Sequence, residues 1–396
     1  MQKRLLIIGA GIAGLSAAKS AREADRNWDI IILELENTNT YIRTRIPHYI
    51  SGEANLKEMM PYNDEWYVKN NLNLIKGIEV ISIDTNSKEV ISNKGKFLYD
   101  SLIIASGAQP FKPPIKGIEL SNIISIRSIY DADVAKNLSS KANTCTIIGG
   151  GLLGLEIAWA ISCLGCKVNI IEHNDRLLPK QTDTTASSLL FEALKKKGIN
   201  VHLNAQTDEF IGKDVVEGVK LKDGRVIETD FVILSTGVRA NTSPFNDVGL
   251  DIGKAIKVDE YMKTNIEDVY AAGDAAEFNG NNYCIWPIAV TQGKIAGSNA
   301  AGKQLEYEDM KPHTQLKIPG INLFTIGDIF CEDCTSLEEL DKDKNRYQKF
   351  FLKDNRISGA IVFGDASLAL TVKKAVENKI EFSLEPFNIN ELIKLL

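Results

Sequence analysis

The sequence predicts an α/β protein. It has two three-layer units, each a parallel sheet covered by helices, and then a small α+β domain. Three observations carry this. A glycine-rich turn, Gly9-Ala10-Gly11-Ile12-Ala13-Gly14, follows the apolar run Leu5-Leu6-Ile7-Ile8. A second, Gly149-Gly150-Gly151-Leu152-Leu153-Gly154, follows Cys145-Thr146-Ile147-Ile148. From about Glu306 onward, strand and helix signals alternate without any such turn.

The elements follow in order. Leu5 to Ile8 is an unbroken apolar run, as expected of a strand buried on both faces. Leu15-Ser16-Ala17-Ala18 continues into a helix, and Asp29 to Glu34 is the next strand. Tyr41 to Pro47 reads as a loop rich in Arg and Thr. Strands fit Ile78 to Asp84, Glu89 to Ser92 and Tyr99 to Ala105, and the alternation from Ile78 to Ile83 suits a small antiparallel insertion. Pro110, Pro113 and Pro114 mark the exit from this unit. A second βαβ unit starts at Asn143 and reaches Glu172, followed by strands at Val201–Asn204, Gly218–Leu221 and Asp230–Leu234. After Ala240 the chain returns, with a strand near Val269 and a helix from about Ile288 to Ala301. The expected division is 1–110 with 241–305, then 111–240, then 306–396.

Composition narrows the function. A chain of 396 residues with 44% hydrophobic and 25% charged residues is long enough for two or three buried cores. Its net charge of −6 lacks the basic footprint of nucleic-acid binding. The first twenty residues imitate a secretory signal, but the glycine spacing fits a nucleotide-binding unit better. No apolar run is long enough to span a bilayer, so a cytoplasmic protein without a membrane partner is expected. Six scattered cysteines suit a reducing compartment rather than a disulfide scaffold.

The two turns have a steric and electrostatic logic. The first glycine (Gly9 or Gly149) permits the tight turn, and the second (Gly11 or Gly151) lets backbone approach a pyrophosphate. The third (Gly14 or Gly154) lets helix pack on strand. Ile12 with Ala13, and Leu152 with Leu153, open helices whose free N–H groups face the phosphates. Glu34 lies 20 residues past Gly14 and Glu172 lies 18 past Gly154, each closing a strand where a carboxylate can accept from ribose hydroxyls. A carboxylate repels a 2′-phosphate, so Glu172 favours NADH over NADPH, and nearby Arg176 reads as a solvated loop charge. Glu156 is placed in the first turn of the second helix, either as a dipole-favoured carboxylate or as a residue at a cofactor junction.

The assembled motifs resemble the pyridine nucleotide–disulfide oxidoreductase superfamily over roughly residues 1 to 305. Leu102-Ile103-Ile104-Ala105-Ser106-Gly107-Ala108 is similar to its first crossover motif, with Ser106 in place of Thr. Val232-Ile233-Leu234-Ser235-Thr236-Gly237-Val238 is similar to the second, and Val269-Tyr270-Ala271-Ala272-Gly273-Asp274 to its late flavin motif. The resemblance implies FAD on Gly9, Gly11, Ile12, Ala13, Gly14, Glu34, Val80, Ala105, Gly107 and Gly273, with Asp274 at the ribityl chain. The helix after Pro287 would aim its N-terminus at the flavin. NAD(H) would lie on Gly149, Gly151, Leu152, Leu153, Gly154, Glu172 and Gly237, with Glu156 near the isoalloxazine.

The disulfide branch places a cysteine pair, or a single cysteine, soon after the first βαβ unit. Here Thr40 to Tyr49 contains none, and the earliest cysteine is Cys145. Tyr41-x-Arg43-x-x-Ile46-Pro47, followed by Tyr49-Ile50-Ser51-Gly52, instead resembles NADH:rubredoxin oxidoreductases and the N-terminal part of nitrite reductase large subunits. Thr44 stands where that pattern has proline. By this resemblance Arg43 contacts FAD, and Lys317 matches a lysine near the flavin, though it equally suits a surface strand. The implied function is an FAD-dependent oxidoreductase that passes electrons from NADH through the flavin to a small protein carrier such as rubredoxin, with no redox-active disulfide. The alternatives are an NADH oxidase or diaphorase acting on dioxygen or small molecules, and a flavin-bound NADH sensor or assembly subunit. Cys331-Glu332-Asp333-Cys334 reads as incidental, with a surface redox pair as the alternative. No metal spacing appears.

Overall fold

The computed structural model describes residues 2–382 and 388–396. The chain divides into two compact units. The first holds the residues up to Arg45, Ala54–Gln109 and Val238–Asp309; the second holds Ile46–Glu53, Pro110–Gly237 and the residues from Met310 onward.

In the first unit five parallel strands lie in the order Val269–Ala271, Ser101–Ile104, Arg4–Ile8, Asp29–Glu34, Leu72–Lys76. The returning segment thus completes the sheet that the N-terminus began. One face is covered by an antiparallel three-stranded insertion, Val80–Asp84, Glu89–Ser92 and Gly95–Leu98. Ile83 and Val90 of the insertion pack against Leu6, Ile31, Leu33 and Leu102 of the sheet. On the other face the helices Ile12–Ala24 and Trp286–Ala300 lie together. Their seam is made by glycine. A Cβ on Gly293 would run into the carbonyl of Ala13, and one on Gly297 into the carbonyl of Ala17. The second helix is pressed this close to the first because those two positions carry no side chain.

The second unit repeats the plan. Its parallel strands lie in the order Asn200–His202, Lys167–Ile171, Thr144–Ile148, Phe231–Leu234, Ile123–Ser125. An antiparallel sheet, Thr207–Gly212, Val216–Leu221 and Val226–Glu228, packs over it through Phe210, Val219 and Leu221. From His313 the chain forms a five-stranded antiparallel sheet, His313–Ile318, Ile321–Gly327, Arg356–Phe363, Arg346–Lys353 and Thr335–Asp341 in spatial order. One face of this sheet buries the helices Ala366–Glu377 and Ile389–Leu395 around Phe350, Val362 and Val372.

The structure corrects three local expectations. Tyr41 to Pro47 is not all loop: a short turn, Arg43–Arg45, runs into the helix Ile46–Ser51 with Pro47 in its first turn, where a missing N–H costs nothing. That helix belongs to the second unit and packs on Leu152–Cys163. Leu72–Lys76 and Thr207–Gly212 are strands that the hydrophobic pattern hides, because both are largely half-exposed. Cys331 and Cys334 are joined as a disulfide, since the turn after Ile321–Gly327 brings their Cα atoms to 5.5 Å. Among the described residues no helix is long and apolar enough to cross a membrane.

Candidate dinucleotide-binding sites

The first site begins where the Arg4–Ile8 strand stops. Gly9 takes φ +96°, and a Cβ there would run into the carbonyl of Ala105. A Cβ on Gly14 would run into the carbonyl of Gly9, so the helix can start this close to the strand only without one. A Cβ on Gly11 would meet nothing within 4 Å. That open side leaves room for a phosphate group. The helix begins there with Gly11 as a cap that offers no side-chain partner, which leaves the N–H groups of the first turn to an anion.

Glu34 closes the neighbouring strand and is locked onto the turn. Its Oε2 accepts the Ala10 N–H at 2.6 Å and its Oε1 accepts the Glu36 N–H at 2.9 Å. Burial pushes this carboxyl above its ordinary range, opposed by those two backbone bonds. The second lone pair on each oxygen remains for ribose hydroxyls. Thr38, Asn39 and Tyr41 line the same pocket with Glu34 and Arg43. Thr38 Oγ1 and Asn39 Oδ1 are buried there with no hydrogen-bond partner among the described residues, so a bound nucleotide fits the vacancy in their bonding. The Arg43 guanidinium pairs with Glu36 at 2.5 Å and donates to the Tyr41 hydroxyl at 2.7 Å, which holds it at the pocket wall. Sequence reading missed Glu36, Thr38, Asn39 and Thr40. Their signal was position: they follow directly on the carboxyl end of a parallel strand, where open α/β sheets take ligands.

The other candidates on this side are brought close or merely adjoin. Gly273 has φ +73°, and a Cβ there would lie 2.7 Å from the Ala13 Cβ, so the late motif reaches the start of the fingerprint helix. Its N–H donates to Gln292 Oε1 at 2.9 Å. Asp274 sits in the turn Gly273–Ala275. Ala105 is buried, and Gly107 accepts the Asn241 N–H at 2.9 Å at the point where the chain returns. Val80 opens the antiparallel insertion and packs against its core.

The second site reproduces the first. Gly149 has φ +114°; a Cβ there would run into the Ser235 carbonyl, and one on Gly154 into the Gly149 carbonyl. A Cβ on Gly151 would again meet nothing within 4 Å. Leu152 and Leu153 open the helix. Glu172 is buried, and its Oε2 accepts the Gly150 N–H at 2.7 Å. Its Oε1 accepts from Asn174 N at 2.8 Å and Nδ2 at 2.6 Å. Arg176 pairs with Asp175 at 3.0 Å rather than with Glu172. Gly237 accepts the Phe111 N–H at 2.9 Å and pins the crossover.

Glu156 lies one turn deeper than expected. It is the fifth residue of Leu152–Cys163, so the first-turn dipole is not its stabiliser. It is 8% exposed, and its Oε1 accepts the backbone N–H of Lys317 at 2.9 Å. Burial pushes the carboxyl up to about 7, against the opposing pull of that N–H and of the Lys317 charge. The structure therefore brings together Glu156 and Lys317, two candidates that the sequence read separately.

Two glycine-rich turns, each on its own parallel sheet and each locked by a carboxylate, have the build of a protein that holds two dinucleotides. Residues 3–293 match the pyridine nucleotide-disulphide oxidoreductase model, and the chain belongs to that family, which uses FAD and NAD(P)H. Residues 312–380 match the rubredoxin NAD+ reductase C-terminal domain. The chain is 33% identical over 386 residues to the nitrite reductase (NAD(P)H) of Bacillus subtilis, covering 96% of this chain and 48% of that one. It thus spans about half the length of that relative. It is also 33% identical over 394 residues to the NADH-rubredoxin oxidoreductase of Clostridium acetobutylicum, covering 99% of this chain and 98% of the relative. The crystal structure of NADH:rubredoxin oxidoreductase from Clostridium acetobutylicum superposes with a TM-score of 0.82 at 32% identity, over 99% of each chain.

Coenzyme choice gives a direct test of Glu172. Glu172→Gln keeps one oxygen for the Gly150 N–H and a ribose hydroxyl, gives up the two bonds from Asn174, and removes the charge that opposes a 2′-phosphate. The kcat/KM ratio of NADH to NADPH is expected to fall by about tenfold. Steady-state kinetics with both coenzymes and one artificial acceptor checks this, and an unchanged ratio would show that Glu172 does not read the ribose.

Proposed function

We propose that this chain is an FAD-dependent NADH oxidoreductase that delivers electrons to a small protein carrier of the rubredoxin class. The observation that carries the reading is the repeated carboxylate-locked turn, joined to a C-terminal segment of the type found in rubredoxin NAD+ reductases. Gly9, Gly11, Gly14, Glu34, Arg43 and Asp274 would hold FAD. Gly149, Gly151, Gly154 and Glu172 would hold NADH. When bound, FAD supplies the change from two-electron to one-electron transfer. The residues supply grip and alignment: helix N-termini for the pyrophosphates, carboxylates for the riboses, and a buried Glu156 tied to Lys317. The stretch Thr40 to Tyr49 offers no thiol, which supports direct delivery from flavin to carrier rather than dithiol exchange. We assign the protein to the cytoplasm and its three parts to 1–110 with 241–305, 111–240 and 306–396.

The test is anaerobic. The purified yellow protein is mixed with NADH, then with oxidised rubredoxin, and its absorbance is followed. Rapid bleaching with rubredoxin-dependent recovery is the expected result. Bleaching that only oxygen or dyes reverse makes it an oxidase or diaphorase, in line with a Methanocaldococcus jannaschii relative named NADH oxidase, 32% identical over 321 residues. No bleaching makes it a binding protein rather than an enzyme.

A further inference from the structure

We propose that the C-terminal antiparallel sheet is a positioning device for NADH, acting through Tyr347 and Thr325 on the loop that braces the second glycine turn. The inference rests on the assignment of that turn to NADH, and it adds residues remote from the chemistry.

The loop after Glu172 is buried where it meets the turn. Leu177 and Leu178 are both 0% exposed. The Leu178 N–H donates to the Gly150 carbonyl at 3.2 Å, and a Cβ on Gly150 would lie 2.7 Å from Leu177 Cδ2. The loop therefore forms one wall of the turn, beside Glu172. Within the loop, the buried Thr182 hydroxyl donates to the Leu177 carbonyl at 2.7 Å, and the Leu177 N–H donates to Ser187 Oγ at 2.9 Å. These bonds cross-link the loop and tie it to the helix Thr184–Lys196. The far end of the loop is gripped from the C-terminal sheet.

The grip has two points. Thr325, on Ile321–Gly327, donates from Oγ1 to the Gln181 carbonyl at 2.8 Å. Tyr347, on Arg346–Lys353, donates from its hydroxyl to Asp183 Oδ2 at 2.6 Å. The other oxygen of Asp183 caps the helix Thr184–Lys196 by accepting the Ala186 N–H at 2.9 Å, so the carboxylate is fully engaged. Lys349 supports the pair, 3.6 Å from Asp183 and 2.9 Å from Glu338. Tyr347 is 2% exposed, and burial with its two carboxylate neighbours holds its phenol well above the ordinary range, so it stays a donor. A hydrogen bond to a buried carboxylate is among the stronger ones a protein makes.

A hydroxyl buried at this depth for packing alone needs only some acceptor. Here the acceptor is the anchor of a hydrogen-bonded loop whose other end is in contact with the phosphate turn. Removing the grip would let the wall relax. It would weaken dinucleotide binding equally before and during reaction, which raises KM and spares kcat.

The experiment compares holoenzymes. Tyr347→Phe is expected to weaken ADP-ribose binding, measured by calorimetry, by about tenfold. NADH KM with ferricyanide as acceptor should rise by a similar factor, with kcat within about twofold and FAD content unchanged. Thr325→Val loosens the second point alone and should move both constants the same way by about threefold; it decides the matter should Tyr347→Phe fail to fold. Unchanged ADP-ribose affinity in the folded variants overturns the proposal, as does a loss in kcat at constant KM. A wild-type protein that neither binds ADP-ribose nor bleaches with NADH overturns the site assignment beneath it, which is a separate result.

Discussion

Gly154→Val is expected to leave a protein that is yellow and that NADH no longer bleaches. Any Cβ at this position runs into the Gly149 carbonyl, so the helix Leu152–Cys163 must draw back from the Thr144–Ile148 strand. Its free N–H groups then miss the phosphates, and the wall from Gly149 to Gly151 opens. Losing several aligned donors to an anion costs on the order of 4 kcal/mol, or about a thousandfold in NADH kcat/KM. On the proposed assignment FAD is held in the other unit by its own turn, so it should stay. Gly14→Val is the mirror experiment: a Cβ meets the Gly9 carbonyl, and the protein should be recovered colourless. Flavin absorbance of the purified variants and stopped-flow reduction by NADH separate the two outcomes. A bleachable Gly154→Val protein, or a yellow Gly14→Val protein, would show that the turns do not work independently as drawn.

Glu156→Gln is expected to stabilise the folded protein above neutral pH. Burial holds the Glu156 carboxyl at about 7, against an ordinary value of 4.5. The folded chain therefore keeps a proton there that the unfolded chain releases. Below about pH 4.5 both states are neutral at this group and it carries no penalty. Between about pH 4.5 and 7 the unfolded chain ionises while the folded one stays protonated, so stability falls with pH and levels off once the folded carboxyl ionises near 7. The full cost, about 3 kcal/mol, is reached above pH 8. Glutamine has no charge to bury and still offers Oε1 to the Lys317 N–H. The variant should match the parent near pH 4.5 and exceed it by about 3 kcal/mol at pH 8 to 9, read from denaturant unfolding of the two holoproteins at each pH. Equal stability of the two proteins across that range would mean that the carboxyl is not desolvated. If Glu156 also serves the redox step, kcat in the variant will lose its dependence on a group titrating near 7, and the same samples report it.

The fold was legible in the chain wherever a short window carried the information. The apolar runs at Leu5 and Cys145 had to be buried strands, and the three glycines after each had to be turn, approach and packing contact. A Cβ would strike backbone at the first and third glycine of each turn and open space at the second. Glu34 and Glu172 were legible because one ends and the other directly follows the strand that comes next in sequence and pairs with the first. The half-exposed strands Leu72–Lys76 and Thr207–Gly212 were not legible, since neither LNLIK nor TDEFIG alternates apolar and polar residues cleanly.

Chain order and residue type alone settled that two glycine-rich strand–turn–helix units exist, where their carboxylates stand, and that no cysteine falls between Thr40 and Tyr49. These depend on neighbours within about thirty positions, so sterics of the local backbone decide them. Only packing settled what meets across long distances: Glu156 with the Lys317 backbone, Gly273 against Ala13, and Tyr347 on Asp183. Those encounters follow from which faces of separate sheets and helices bury one another. The apolar area that drives such burial is roughly indifferent to partner, so a linear pattern does not name it.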